Sequence, residues 1–175
     1  LLIVCIGKQT KNIDSYMGLE KEYTGSFFLG ATTPSFDLET SIDQTFSTEH
    51  ITQELIRETA EKFIGEQMQF PPVYSAIKKD GKRLYESARA GIEVELTARK
   101  VVITEFEITA IEMPLVHFRI KCAKGTYIRS IANDFGKVLN AGAYLNSLRR
   151  TQIGPYRVED AMSIEGFCSQ VNNQL

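Results

Sequence analysis

The sequence has no tryptophan, two histidines (His50 and His117) and three cysteines, Cys5, Cys122 and Cys168, set far apart. Each scarcity removes a class of chemistry. Scattered cysteines without a CxxC pair build no disulfide framework and point to a reducing compartment, hence a cytoplasmic location. Two isolated histidines, neither near a cysteine pair, give no metal-ligand spacing, so no metal is expected. They also leave a Ser/His/Asp hydrolase without its base, and G-x-S-x-G, H-E-x-x-H and Gly-rich phosphate loops are absent from the sequence. His117 alternates outward on its segment and reads as a surface residue. The apolar run "LLIVCI" is too short to cross a membrane, and no basic segment precedes it as in a signal peptide. It reads as the middle of an element that begins earlier. Repeats, low-complexity tracts and Ser/Gly-rich linkers are also missing.

What is present fits one catalytic-type domain over residues 1–175, long enough to bury about 70% of its unfolded surface. The net charge of −2 conceals an uneven distribution. Residues 1–70 carry 5 basic and 11 acidic side chains, whereas residues 71–175 carry 15 and 11. The stretch "KKDGKRLYESAR" (78–89) holds five cations against two carboxylates. Phosphate binding requires a basic face rather than a basic average. On charge alone, a solvated surface explains these residues equally well.

Hydrophobic spacing predicts the elements. Residues 8–19 read as a short helix with Ile13, Tyr16 and Met17 inward. "YTGSFFLGATT" reads as a strand with Tyr23, Gly25, Phe27 and Leu29 on one face. Pro34 then opens an extended loop. Residues 48–64 form an amphipathic helix with Ile51, Leu55, Ile56, Phe63 and Ile64 as its stripe, and Gly65 stops it. Residues 70–91 read as a Pro-gated loop and a short helix from about Lys82 to Ala90. "IEVELTA", "KVVITEFEITAIEM" and "LVHFRIKCA" alternate as antiparallel strands. A helix from Thr126 to about Leu139 follows, then a strand in "AYLNSLRRTQIG" and a closing loop with a short helix. Strands and helices without regular βαβ alternation predict an α+β fold, with helices packed on a mostly antiparallel sheet.

The junction "CAKGTYIRSIANDFG" (122–136) raises a chemical question. Gly125 suits a tight turn and Thr126 a helix N-cap. Arg129 follows in the first turn, one residue off the apolar stripe. Spacing alone allows an ordinary contact with Asp134 or a strand end.

Four segments narrow the choice: "KEYTGSFFLGATTPSFD" (21–37), "FPPVYSAIKKDGKRLYESARAG" (70–91), "KGTYIRSIANDFG" (124–136) and "LNSLRRTQIGPY" (145–156). In this order they resemble the bacterial B-type tRNA pseudouridine synthase family, whose members isomerise the T-loop uridine at tRNA position 55. The resemblance covers nearly the whole chain. It implies a pseudouridine synthase-like fold, a base-flipping isomerisation, tRNA as the partner, no cofactor and a monomeric enzyme.

By resemblance, Arg129 pairs with the family's nucleophilic aspartate, keeping it ionised and oriented, and Tyr23 is the active-site tyrosine. The spacing around Tyr23 also fits a core tyrosine. Leu148 matches the apolar residue that meets the uracil; by composition it is a buried leucine. Lys21 is assigned to pocket electrostatics. Lys78, Lys79, Lys82, Arg83 and Arg89 lie in the RNA-contacting insert (70–91), and Arg149 and Arg150 are phosphate clamps. Arg129, Tyr23 and Leu148 are expected around one hollow. The family's aspartate lies in a G-x-L-D-x-x-A-T-G segment that runs into a stretch like "LLIVCIGKQTK". It is therefore expected outside these 175 residues, leaving Arg129 without its partner and this chain inactive alone. Asp37 matches the family's loop aspartate. Ser35 and Thr40 depart from that loop's T-x-T-x-D-x-x-G pattern. Little room remains after Phe167 for a full PUA-like RNA-binding domain. The alternatives are a catalytically silent RNA-binding scaffold and an RNA-guided relative; "PPVYSAIKKDGKRLY" favours the stand-alone bacterial type.

Overall fold

The computed structural model describes the chain except for Ala76, Asp80, Gly81, Gly91, Glu93 and residues 173–175, and except for the side chains of Lys78, Lys79, Lys82, Ser87, Ala88, Arg89, Val171 and Asn172. In chain order, a 3-10 turn (Gly7–Asn12) leads into α1 (Ile13–Gly18), then β1 (Lys21–Leu29), β2 (Ala31–Thr32), β3 (Gln44–Thr45), α2 (Gln53–Glu61) and β4 (Gly65–Gln69). The hairpin β5 (Lys78–Lys79) and β6 (Lys82–Arg83) precedes α3 (Leu84–Arg89). The long pair β7 (Arg99–Glu112) and β8 (Leu115–Cys122) is followed by α4 (Ile128–Val138), β9 (Ala143–Ile153), β10 (Tyr156–Arg157) and α5 (Ile164–Asn172). Six strands form one antiparallel sheet in the order β10-β9-β1-β8-β7-β4.

Alternation fixes which face is covered. Val116, Phe118, Ile120 and Cys122 of β8 are buried beneath the helices, with Phe27 and Leu29 of β1 beside them. α4 lies over β9, α2 lies over β7, and the two helices touch. Phe27 anchors this layer, its ring centroid 4.3 Å from that of Phe118 and 5.5 Å from that of Phe135. Burying such rings contributes roughly 1.5–3 kcal/mol each. On the opposite face Arg119 reaches Glu22, Glu105 and Glu107, and Lys121 reaches Glu105. Gly25 sits where β9 comes closest: a Cβ there would collide with the Ser147 carbonyl oxygen and come within 2.9 Å of the Phe118 ring.

Several sequence expectations need correction. The segment 92–98 forms no strand among its described residues. Its place beside β7 is taken by β4, whose pairing runs from Gly65–Ile103 to Gln69–Arg99. β4 reads "GEQMQ", which alternates without an apolar face because it is an edge strand. The helix α2 is shorter than its apolar stripe. Thr52 caps it by accepting from the Leu55 N–H at 3.1 Å, and Ile64 stays exposed beyond its end. Ile13 and Met17 of α1 are also exposed, facing a hollow rather than the core. Lys82 and Arg83 belong to a hairpin, and α3 begins at Leu84. His117 is only half-buried, and its Nε2 is closed off from solvent without a hydrogen-bond partner.

Candidate active site

The strand-to-helix corner works as the sequence suggests, with one change. Gly125 takes φ +84, a conformation that favours glycine, and turns the chain from β8 into α4. Thr126 does not cap the helix: its hydroxyl donates back to the Ala123 carbonyl at 2.9 Å. The residue that starts the helix, Tyr127, is held from a distant segment. The Gln69 side-chain oxygen accepts the Tyr127 N–H at 2.8 Å, while its NH2 donates to the Tyr127 carbonyl at 3.1 Å. A buried amide thus pairs with both backbone groups of one residue, as a neighbouring strand would. Ser130 adds a bond to the Phe70 carbonyl at 2.7 Å. The root of the 70–91 arm is therefore fastened to the first turn of α4.

Arg129 projects from that turn between two loops. Its Nη1 donates to Asp37 Oδ2 at 3.0 Å, and its Nη2 donates to the Tyr74 carbonyl at 2.9 Å. Both side chains of the ion pair are largely buried, at 21% and 24% exposure. Arg129 thus pairs with a carboxylate that the sequence reading did not name as its partner. It is not Asp134, which lies on the same helix and binds Lys137. Asp37 reaches it because the loop between β2 and β3 folds over the sheet, where the Leu145 N–H donates to the Phe36 carbonyl at 2.8 Å.

Arg129, Asp37 and Leu148 line one hollow of about 360 Å³. Leu148 is 45% exposed there, so it is not the buried leucine that composition allows. Tyr23 lines a different hollow, of about 640 Å³, formed by Leu2, Ile3 and Cys5, α1, the start of β7 and the turn into α4. The three residues expected around one hollow therefore occupy two. Register explains the split. Leu148 stands opposite Gly25 and Arg150 opposite Tyr23, so Tyr23 shares its hollow with Arg150. Tyr23 is half-buried and packs on the core while facing this hollow. Burial pushes its phenol above the ordinary value, and a hydrogen bond with Arg150 partly offsets this.

The larger hollow is lined by five cations, Lys21, Arg99, Lys100, Lys124 and Arg150, and, among the described residues, by no carboxylate. Lys21 is spent on structure: its ammonium donates to the Met17 and Leu19 carbonyls, both at 2.6 Å, at the end of α1. Burial, then the nearby Arg150, lowers its pKa. Lys100 pairs with Glu66 at 2.6 Å. Arg150 also donates to the Leu1 carbonyl at 2.8 Å. Arg99 and Lys124 are exposed on the rim and, among the described residues, bind no carboxylate. The sequence alone places neither at a site. Their signal is the join of β7 to the β8–α4 turn, which only pairing reveals.

Arg149 and Arg150 do not share a hollow. Strand alternation sends Arg149 to a groove on the opposite face beside Thr24 and His117. Arg83 is exposed, donates to the Tyr85 hydroxyl at 3.3 Å and stacks on its ring. The side chains of Lys78, Lys79, Lys82 and Arg89 lie outside the described residues. Among the described residues, no group of three or more His, Cys, Asp or Glu is arranged to hold a metal ion. No helix among them is long and apolar enough to cross a membrane.

Solved structures identify the class of fold. The chain resembles a chain of a Cbf5–Nop10–Gar1 complex, with TM-score 0.67 and 25% identity over 91% of this chain and 38% of that one. It also resembles an H/ACA RNP chain bound to a substrate RNA, with TM-score 0.65 and 20% identity over 97% of this chain and 41% of that one. The α+β, pseudouridine synthase-like fold expected from the sequence is the one observed. The model described as TruB family pseudouridylate synthase (N terminal domain) matches residues 1–128. The tRNA pseudouridine synthase B of Flavobacterium johnsoniae is 59% identical over 95% of this chain and 73% of its own length. That of Phocaeicola vulgatus is 49% identical over 99% of this chain and 74% of its length. The chain belongs to the TruB family of pseudouridylate synthases.

Proposed function

We propose that this chain is the catalytic-type part of an enzyme that converts uridine to pseudouridine in tRNA, at the T-loop position 55. The relatives named tRNA pseudouridine synthase B support tRNA as the substrate. The identity of 59% to such a relative, against 25% to Cbf5, favours the stand-alone enzyme over an RNA-guided one.

In this reading the target base leaves its stack, at a cost of a few kcal/mol. The Tyr23 ring receives the uracil, which returns about 1–3 kcal/mol. Exposed Leu148 supplies an apolar contact from the neighbouring strand. The N1–C1′ bond breaks, the base rotates, and a C5–C1′ bond forms while N1 gains a proton. The Tyr23 hydroxyl, which lines the larger hollow, relays the C5 proton: its oxygen takes that proton as its own O–H proton passes to solvent, while N1 draws one from solvent. Bond order is exchanged without net oxidation or hydrolysis, so the chemistry calls for neither redox cofactor nor metal. Arg129 serves the reacting aspartate that the family resemblance puts in the segment leading into a stretch like "LLIVCIGKQTK". Two of its N–H groups hold Asp37 and Tyr74, and the others remain for that second carboxylate. Phosphates are held on the rim by Arg99 and Lys124 and by the 70–91 arm. The enzyme is a cytoplasmic monomer.

The observation that carries the proposal is Arg129, held from two sides over the hollow that exposes Leu148. The test uses the full-length enzyme and tRNA labelled with tritium at uridine C5. Tritium release, abolished by Arg129→Ala with tRNA affinity kept within about threefold, is expected. Binding without release in the unmutated enzyme would leave an RNA-binding scaffold instead.

A further inference from the structure

The loop that presents Asp37 is held by hydroxyl groups, at the two positions where the sequence departs from the family pattern. Ser35 and Thr40 face each other across it. Their hydroxyl oxygens are 2.8 Å apart, the Thr40 N–H donates to Ser35 Oγ at 3.2 Å, and the Ser35 N–H donates to Thr40 Oγ1 at 3.1 Å. Ser35 Oγ also donates to the Asp37 carbonyl at 3.3 Å, and Thr33 Oγ1 donates to the same carbonyl at 2.7 Å. One arrangement of protons satisfies all of these: the Thr40 hydroxyl gives its proton to Ser35, and Ser35 gives its own to Asp37.

We infer that Ser35 and Thr40 form a clasp that positions Asp37, and through it Arg129, for the reaction. The inference rests on the functional reading above. Three observations carry it. First, the loop spends backbone freedom: Phe36, between Ser35 and Asp37, takes φ +64, a conformation a non-glycine residue holds only when its surroundings fix it. Second, Ser35 and Thr33 are 0% and 2% exposed, so water does not replace these bonds when one is lost. Third, the carboxylate that results is fixed at both oxygens. Asp37 Oδ1 accepts the Glu39 N–H at 3.0 Å and Oδ2 accepts Arg129. The clasp closes between residues 35 and 40, and Asp37 is inside it. A loop with no side chain at position 40 has no such clasp, so the hydroxyl at 40 and the serine at 35 act together.

The test is a mutant cycle in the full-length enzyme, read by single-turnover pseudouridine formation, tRNA affinity and Tm. Ser35→Ala and Thr40→Val are each expected to slow the reaction about tenfold, with tRNA affinity within about twofold. The double variant is expected to be no slower than either single one, because both remove the same clasp. Ser35→Thr keeps the hydroxyl and restores the rate. In an Asp37→Asn background, Ser35→Ala is expected to cost nothing further in rate. A merely structural role would still lower it there. The Arg129 guanidinium 15N resonances supply a readout independent of turnover. They should broaden or shift in Ser35→Ala and return in Ser35→Thr. Unchanged resonances and rate in both single variants would overturn the clasp. So would a further loss of rate in the Asp37→Asn background. An unmutated enzyme that makes no pseudouridine would overturn the functional reading instead, while the resonances would still decide whether the clasp fixes Arg129.

Discussion

Arg129 and Asp37 stand 92 residues apart in the chain and meet with Nη1 3.0 Å from Oδ2. The pair is largely buried, and the other prong of the guanidinium is tied to the Tyr74 carbonyl. Replacing Asp37 by Asn keeps its shape and removes its charge. Stability is expected to fall by about 1–3 kcal/mol, the range for an impaired bond to a buried charged group. Turnover should fall at least about tenfold, since a displaced Arg129 no longer orients what it serves. Denaturant midpoints and single-turnover rates check both.

Gln69 is 5% exposed and makes its two bonds to the peptide of Tyr127. Gln69→Leu keeps the volume, leaves that N–H unpaired and leaves the carbonyl only its helical bond from the Ile131 N–H, at an expected cost of about 2 kcal/mol. Because the arm hangs from this point, limited proteolysis within 70–91 should accelerate before the sheet unfolds. Cleavage no faster than in the unmutated protein would show that the arm is held elsewhere.

The Tyr23 phenol is raised by burial and lowered in part by Arg150. Arg150→Gln removes the lowering influence, so the phenol should titrate still higher. The measurement is the ultraviolet titration difference between each protein and its Tyr23→Phe counterpart. The sign for stability follows. A group raised on folding contributes stability that is complete below its unfolded pKa, near the ordinary 10.0. That contribution is lost as pH rises through the folded value. Any stability advantage of the unmutated protein over its Tyr23→Phe variant should therefore shrink in alkali.

Arg99 and Lys124 stand exposed on the rim of the basic hollow. If they hold phosphates, Arg99→Gln with Lys124→Gln should flatten the log–log salt dependence of tRNA binding by about 1.5, near 0.7–0.9 per contact. The rate at saturating tRNA should stay within about twofold. Lys8→Gln with Lys11→Gln, on the 3-10 turn, changes the same charge away from that hollow and should leave the slope unaltered.

The strands of the core and the helix carrying Arg129 were legible because their apolar residues recur at the right period. Phe27 and Leu29, or Ile128, Ile131 and Phe135, declare a buried face without reference to anything distant. β4 was not legible, since "GEQMQ" becomes a strand only by pairing with Arg99–Ile103. "IEVELTA" failed in the opposite way: it alternates, but the place beside β7 is taken by β4. At the site, the motif identified Arg129 and Leu148, and the structure brings them together. The Asp37 partnership was missed because it depends on a loop folding across the sheet. The separation of Arg149 from Arg150 follows from alternation alone, and the doublet "RR" concealed it.

The two prongs of Arg129 have a mechanical consequence. One grips the loop bearing Asp37 and the other the root of the arm with its run of lysines. In the function proposed above, a pull on that arm reaches the guanidinium that holds Asp37 through the Tyr74 carbonyl alone. Grasping a nucleic acid and readying the reaction would then share this joint, set beside the ties of Gln69 and Phe70 to the first turn of α4.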